Sequence, residues 1–517
     1  MAATLGEQYR ATSLRSTIGV EIAFDSVFAS GHRGQLSSGR VERMPRTLIT
    51  NGYVVTVDAR RNVFPDGYVA IDGALISAVG PASQAPKPDT FDEVIDARGA
   101  IVLPGLINMH QHHWYTLFKG TADGMLLEDW VTGLLLPLAS RLSDEALRLG
   151  SAVAGLEMLA TGTTCSLNHS VTTTTPGKVK ASIEPQAELG IRQVFGKELR
   201  CRTPGNPNHP LGLDEALAEY QDEHKRWHGA SNGLVRMAMA IESNAHWVAA
   251  GMSTEELICR GYDLARKLNV KITNHISGGT FSLEKGLLRY LRETGRTDVR
   301  YLMQLGILDA QWLMIHGIHC TDLDIEHMAR VGASLVYTPT SESIRGGGIG
   351  PIANAVRAGI NVALGTDGPM VDYSVDMVEQ MKACAFLQHV RHLDPTRMPV
   401  EIAIEMATIN VAQALGMADE IGSLKAGKLA DIAVFDTTKP QIGVQLRPIS
   451  TFVSAGRGAD ARLVMVNGDV VYRDGRFKYA KKPMATIAEA ERVARAILSE
   501  AGLDARLRPD WRRGSAA

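Results

Sequence analysis

From Leu103 to about Gly416 the chain alternates short apolar runs with helical stretches of ten or more residues. Repeated strand–helix units of this kind make a parallel sheet, and at this length they favour a closed barrel. Ser143–Ala160 reads as a helix before the run Gly162-Thr-Thr-Cys-Ser-Leu. Thr254–Lys267 precedes Val270-Lys-Ile-Thr-Asn-His275. Asp322–Val331 precedes Ala333-Ser-Leu-Val-Tyr, and Ile352–Ala358 precedes Ile360-Asn-Val-Ala-Leu-Gly-Thr-Asp367. The fold class expected is therefore α/β, a (β/α)8 TIM-like barrel.

The texture differs on either side. Thr47–Val57 and Gly67–Gly80 are β-rich runs punctuated by Asn-Gly and Asp-Gly turns, and β texture returns at Leu429–Phe435, Ala461–Gly468 and Val470–Gly475. Each flank is too small to hold a good core alone, so the two are expected to pair as one composite β-sandwich. The domain plan is a poorly ordered tail at 1–44, a sandwich from 45–103 plus 418–480, a barrel at 104–417, and a C-terminal helix and tail at 481–517, with the helix over roughly Thr486–Ala501. Thr203–Ser231, which opens with Pro and Gly, reads as an enlarged loop that could cover the site.

Composition narrows the function. The 517 residues carry a net charge of −2 and are 45% hydrophobic, so nothing points to nucleic acid or an anionic membrane. No apolar run reaches the ~18 residues of a membrane span. The first residues lack the pattern of a signal peptide. Five scattered cysteines with no CxxC pair fit a reducing, cytoplasmic location. A small-molecule substrate and a homo-oligomer, dimer or tetramer, are expected.

In a parallel barrel the active site gathers at the C-terminal ends of the strands. The run Leu103-Pro-Gly-Leu-Ile-Asn-Met-His110-Gln-His112 delivers two histidines to such an end, and in a strand residues i and i+2 share a face. Asn168-His169, then Glu242, Asn244 and His246, then His275, His316 and Asp367 occupy the ends of later strands. Imidazoles and a carboxylate so placed form a plausible ligand shell for zinc or another first-row ion. Singly, each reads equally well as a packing residue or a turn; together they are in register on consecutive units.

At these residues the chain resembles the amidohydrolase superfamily, in the branch of aminohydrolases and chlorohydrolases that includes cytosine deaminases and triazine hydrolases. The resemblance runs from about Thr47 to Arg476. It is carried by Pro104–His112 with Phe118–Asp123 and Leu127-Glu-Asp-Trp130, and by His316-Gly-Ile-His-Cys-Thr-Asp-Leu. Further along come Tyr337-Thr-Pro-Thr-Ser341 with Gly348–Pro351, Ala363–Gly368 with Val375-Asp-Met377, Ala407-Thr-Ile-Asn410, and Gly422–Asp431. It implies one divalent metal ion, zinc most commonly and iron or manganese as alternatives, held by His110, His112, His275 and Asp367. Asp367 would also accept the proton of a metal-activated water that attacks the substrate. His316 matches the histidine that polarises or protonates the substrate, with His319 the competing candidate. His169, His246, Trp114, Glu342 and Asp372 fall where substrate contacts are found, and His113 is expected to point away from the metal.

The chain departs from that pattern in the expected pocket. The third-ligand histidine is usually followed three residues later by a proton-transferring glutamate; here the run is His275-Ile-Ser-Gly278-Gly279. Glu284, Ser277, Glu242 and Glu198 are the candidates to replace it. The usual Ser-Asn is Ser341-Glu342, and Asp367-Gly is followed by Pro369-Met-Val-Asp372. The expected activity is metal-dependent hydrolysis of a C–N bond in a small, nitrogen-rich cyclic compound, as a deaminase does. An amide, urea or carbamate hydrolase, a dechlorinase and a catalytically inactive scaffold are the alternatives.

Overall fold

The computed structural model describes residues 44–172, 174–279 and 287–509. Nearly all of the expected tail, and Glu284, lie outside the described residues. The N-terminal flank forms β1 (Arg46–Val55), β2 (Val63–Asp72), β3 (Leu75–Pro81), β4 (Glu93–Asp96) and β5 (Ala100–Pro104). Eight strands follow, alternating with helices: β6 (Leu106–Gln111), β7 (Thr163–Ser170), β8 (Arg192–Glu198), β9 (Val235–Ala240), β10 (Ile272–Ile276), β11 (Trp312–His316), β12 (Ser334–Tyr337) and β13 (Val362–Leu364). The C-terminal flank contributes β14 (Ile432–Asp436), β15 (Ala461–Val466), β16 (Asp469–Arg473) and β17 (Arg476–Phe477).

β6 to β13 form one eight-stranded sheet in chain order, every neighbouring pair parallel. Strands such as β6 and β7 are buried along their whole length, as expected when both faces are covered. The helices begin where the sequence offers a hydroxyl cap. Ser143, Thr254 and Thr321 each accept a backbone N–H of the first turn of Asp144–Ala160, Glu255–Leu268 and Asp322–Val331. Left-handed Asn269 and Gly332 end the latter two. An apolar cluster takes Ile107, Leu167, Val194, Ala238, Ile315, Val336 and Ala363, among others, from seven of the eight strands.

The two ends of this sheet meet. Thr366 N and Asp367 N donate to the His110 carbonyl at 3.1 and 3.0 Å, and His112 N donates to the Asp367 carbonyl at 3.1 Å. Gln111 and Asp367 form a parallel bridge, closing the barrel between the strand end that carries the HxH pair and the loop that carries the aspartate. β6 has one more residue between Asn108 and Gln111 than β7 has between Ser166 and Asn168. This bulge sits where His110 leaves the strand; such extra residues re-aim side chains beside active sites.

Strands of the two flanks pair, as one continuous sheet where two facing sheets were expected. β14 pairs antiparallel with β5, so strands from both ends of the chain make a single nine-stranded sheet in the order β17-β16-β15-β14-β5-β1-β2-β3, with β4 on β1. Arg192 at the start of β8 clamps this sheet to the barrel: its Nε and Nη2 donate to Asp431 at 3.0 and 3.2 Å, both side chains being 2% exposed. The closing helix spans Pro483–Glu500, and its Ala490, Val493, Ala494 and Ile497 share a core with Leu147 and Leu149 of Asp144–Ala160.

A second expectation is overturned. Most of Thr203–Ser231 is not a loop but the helix Leu213–Trp227, which buries Ala216, Leu217 and Tyr220. Leu213, Ala216, Leu217 and Tyr220 follow helical spacing. Pro204, Pro207 and Pro210 crowd the approach to Gly212 and hide the start.

Gly365 sits on the seam. A Cβ there would lie 2.7 Å from His110 N, 2.8 Å from its Cβ and 3.0 Å from its carbonyl oxygen, backbone that cannot give way cheaply. Gly365→Ala is therefore expected to lower stability by about 1–3 kcal/mol and to weaken metal retention. Thermal unfolding with metal analysis checks this; an unchanged melting temperature would show that the seam is slack.

Candidate active site

The strand ends bring His110, His112, His169, Glu242, His275, His316 and Asp367 together. His110 is fully buried and, among the described residues, neither of its ring nitrogens is hydrogen-bonded; Nε2 lies 3.3 Å from Asp367 Oδ1. His112 Nδ1 donates to the His169 carbonyl at 2.6 Å, which leaves its Nε2 lone pair free, 3.6 Å from the same Asp367 oxygen. His275 Nδ1 is 2.5 Å from Glu242 Oε1, so a carboxylate orients this ring and leaves Nε2 for the site. Two donor triples result, His110–His112–Asp367 and His110–His169–His275, each with its ligand atoms within 4.8 Å of one another. Asp367 Oδ2 accepts from Ser341 Oγ at 2.7 Å and faces Arg345 Nη2 at 3.3 Å, so Oδ1 is the oxygen left toward the histidines.

The backbone is held in an unusual state at these ends. Ser277, His316 and Asp367 have φ of 46°, 74° and 69°. Non-glycine residues enter this region at a cost that surrounding contacts must sustain, and they cluster at functional sites. Asp298, which sequence reasoning missed, is one such contact: Oδ1 accepts from Ala245 N at 2.8 Å and Oδ2 from Ser277 N at 2.7 Å, pinning the loops after β9 and β10.

The remaining expected residues separate. The His316 ring stacks on His275 with centroids 5.3 Å apart and lies 5.6 Å from His110, while His319 Nε2 donates to the Gly279 carbonyl at 3.1 Å. His316 is thus the one set against the metal-type residues. His169 Nδ1 meets Thr273 Oγ1 at 3.1 Å and its Nε2 lies 3.0 Å from Glu242 Oε1. The His246 ring packs edge-on against Tyr290, and among the described residues its buried Nε2 has no hydrogen-bond partner. His113 turns away, between Ser151 and Ser166. Trp114 packs edge-on against Tyr115, which itself stacks on His112, and against Phe118. Asp372 is bonded to Thr340 Oγ1 at 2.5 Å and Gln380 Nε2 at 2.9 Å, a tie between two helices. Glu342 contacts His316 and Arg345.

Three residues of the site were not singled out from sequence. Tyr115 stacks on His112 at 4.4 Å, Trp130 meets Tyr115 edge-on at 5.7 Å, and the Arg345 guanidinium lies 6.0 Å from the Trp130 ring. Gly278 has no tight neighbour: the nearest atoms a Cβ would meet among the described residues are His316 Cδ2 and Cβ and the Ile276 carbonyl, at 3.8–3.9 Å. Of the candidates for the missing carboxylate, Glu198 is paired with Arg200 at 2.7 Å and Glu242 with the two histidines.

Electrostatics fit a divalent cation. Burial pulls His110 down to about 3 and His169 to about 4, and holds His112 well below its ordinary value, so these imidazoles are neutral ligands at neutral pH. Burial alone would raise Glu242, Glu342 and Asp367. The imidazoles of His275 and His169 outweigh it for Glu242, Arg345 and His316 for Glu342, and Arg345 and His110 for Asp367, so all three stay ionised. Asp372 is pushed well above its ordinary value by burial. Asp367, Glu242 and Glu342 against the guanidinium of Arg345 leave two negative charges within that cluster, a charge that suits a dication. Without it, Glu242 draws a proton onto His275, raising that ring against its burial.

An α/β barrel with a nitrogen-and-carboxylate cluster at its strand ends belongs to the metal-dependent hydrolase class. The sequence profile of the amidohydrolase family matches residues 101–471. The chain belongs to that family, and it is a hydrolase of the kind that acts on carbon–nitrogen bonds. Among its relatives are the 5-methylthioadenosine/S-adenosylhomocysteine deaminases of Syntrophobacter fumaroxidans, 33% identical over 83% of this chain and 93% of the relative, and of Desulforudis audaxviator, 32% identical over 88% and 99%. Solved structures with the same fold include a zinc-bound adenosine deaminase from Xanthomonas campestris, TM-score 0.78 and 24% identity over 88% of this chain and 98% of that one. A zinc complex of atrazine chlorohydrolase from Arthrobacter aurescens gives a TM-score of 0.76 and 22% identity over 87% and 100%.

The buried imidazoles set an acid limit on the metal-free protein. His110, His113 and His169 titrate at about 3, 3 and 4 when folded but near 6.5 when unfolded. The unfolded chain therefore takes up protons that the folded chain refuses, and stability falls as pH drops from about 6.5 toward 4. Metal-free melting temperatures should decline over that window, and His113→Gln should reduce the slope by up to about one proton. A flat profile would show that these rings are protonated in the folded state.

Proposed function

We propose that the protein is a metal-dependent deaminase: it hydrolyses the exocyclic C–N bond of a small, nitrogen-rich ring and releases ammonia. The observation that carries this is the fully buried, unbonded His110 ring facing His112 and Asp367 across the barrel seam. His110, His112, His275 and Asp367 would hold the ion, zinc by the chemistry of a nitrogen-rich set and by the relatives whose structures contain it. The relatives' names favour an aminated purine as substrate class. The proposal includes a cytoplasmic, homo-oligomeric protein; the five cysteines, all unpaired, are consistent with a reducing location.

When bound, a divalent ion lowers the pKa of a water from ~15.7 toward ~7 and polarises the carbon under attack. Asp367, its Oδ2 occupied by Ser341 and Arg345, keeps Oδ1 toward the place where the water's proton leaves. His316, stacked on His275, is placed to take up at Nε2 the proton released by the attacking water and hand it to the departing amine. Tyr115 and Trp130 give an aromatic wall for a planar ring.

Gly278 favours one second reading. With no carboxylate there to protonate a ring nitrogen, hydrolysis of an amide, urea or carbamate, whose carbonyl a metal can polarise directly, uses the same residues. A panel of aminated heterocycles, amides and ureas, assayed for ammonia against larger amines, separates the two. Asp367→Asn and His110→Ala should each lower turnover by more than about a thousandfold with loss of metal, and chelation followed by zinc should abolish and restore it. Near-normal turnover in either variant would remove that residue from the metal set. Gly278→Glu raising ammonia release would favour the deaminase reading, and loss of activity would favour the amide one.

A further inference from the structure

The two departures at Gly278 and Glu342 lie on opposite sides of one imidazole. Ahead of His316, Gly278 offers no side chain. Behind it, Glu342 Oε1 is 2.8 Å from His316 Nδ1, and Thr338 Oγ1 is 3.0 Å from the same nitrogen. The same Glu342 oxygen accepts from Arg345 Nη2 at 2.7 Å, and that guanidinium nitrogen lies 3.3 Å from Asp367 Oδ2. Glu342 is 1% exposed and Arg345 9%. Ser341, Glu342 and Arg345 fall within one turn at the end of the helix Pro339–Ile344, so a single short segment grips both Asp367 and His316.

We propose that Glu342 is a positioning residue for the reaction: it holds His316 in the tautomer and orientation that present Nε2 to the substrate, and through Arg345 it keeps that ring in register with Asp367. This rests on the reading of the site given above. A lone pair on Nδ1 would face the Glu342 carboxylate at 2.8 Å and be repelled, so Nδ1 carries the hydrogen, shared with Thr338 Oγ1 at 3.0 Å, and Nε2 is left with the lone pair. A charge buried this deeply is expensive in stability terms; Arg345 offsets it, and what the pair secures is geometry. His316 at φ 74° needs such support, because the left-handed backbone by itself does not define where the ring points. The segment thereby supplies from behind what a side chain at 278 would have constrained from the front. Nε2 stays clear to meet the leaving nitrogen.

The test uses full-length, zinc-loaded protein. Glu342→Gln is isosteric, but its amide can donate to Nδ1 and so admit the other tautomer. For Glu342→Gln, kcat for ammonia release should fall by roughly 100- to 10,000-fold, with KM within about threefold and zinc content and melting temperature kept. Glu342→Asp should recover part of kcat. Arg345→Met should give an intermediate loss. A readout independent of activity is the ring 15N shifts of His316 in histidine-labelled protein, assigned with His316→Asn: the wild type should show the Nδ1–H tautomer, and Glu342→Gln a shift toward Nε2–H. Wild-type kcat in Glu342→Gln, an unchanged tautomer, or a kcat loss matched by zinc loss or a lower melting temperature would overturn the proposal. If no compound of the panel yields ammonia, the deaminase reading fails, and the 15N shifts alone still decide whether Glu342 sets the ring.

Discussion

The His110 carbonyl oxygen is the point on which the site depends. It accepts two backbone N–H groups, Thr366 N and Asp367 N, where the last strand of the barrel meets the first. Asp367 is about 250 residues from His110 in sequence, yet these bonds fix the carboxylate against both imidazoles to within 3.3 and 3.6 Å. No side chain at 365 could share that seam, which is why a glycine stands there. The donor set is thus a consequence of barrel closure rather than of any local motif: a sheet left open would leave two histidines and an aspartate apart.

Closure in turn is supported from outside. β5 runs through Gly105 into β6, and the Arg192–Asp431 pair binds β8 to the sheet that both chain ends build. Removing one partner of a pair this buried leaves an uncompensated charge at about 3–5 kcal/mol, so the flank sheet is energetically coupled to the barrel. The nine-stranded sheet needs strands from both termini. The domain that carries chemistry and the one that frames it therefore form together.

The barrel, the flank pairing and the residues now found together were legible because each left a periodic or chemical trace: buried apolar runs, hydroxyl caps, histidines at strand ends. Leu213–Trp227 was not, since a proline-rich approach outweighed a sound helical stripe. Asp372 sits on the right segment, and its carboxyl is bonded to Thr340 and Gln380. Arg345 could not be read at all. A lone arginine in a glycine-rich stretch looks like a solvated turn, and only the approach of Glu342 and Asp367 in three dimensions accounts for burying it. Asp298 was equally silent: its role is to accept two backbone N–H groups from loops distant in sequence.

Charge balance connects these observations. Arg345 keeps both Asp367 and Glu342 ionised, the imidazoles of His275 and His169 do so for Glu242, and among the described buried residues at the site Arg345 brings the fixed positive charge. A side-chain carboxylate at 278 would add one uncompensated negative charge beside a metal-type centre that one dication leaves neutral. Glycine there keeps the balance, and Glu342 with its own arginine adds no net charge behind His316. On the proposed reading, the family's proton-transferring carboxylate is thus not merely absent: its place in the electrostatics is taken by an ion pair that acts on the imidazole instead of on the substrate. Substrates whose leaving nitrogen lies toward β11 would be served by that arrangement, whereas those needing a proton delivered from the loop after β10 would not.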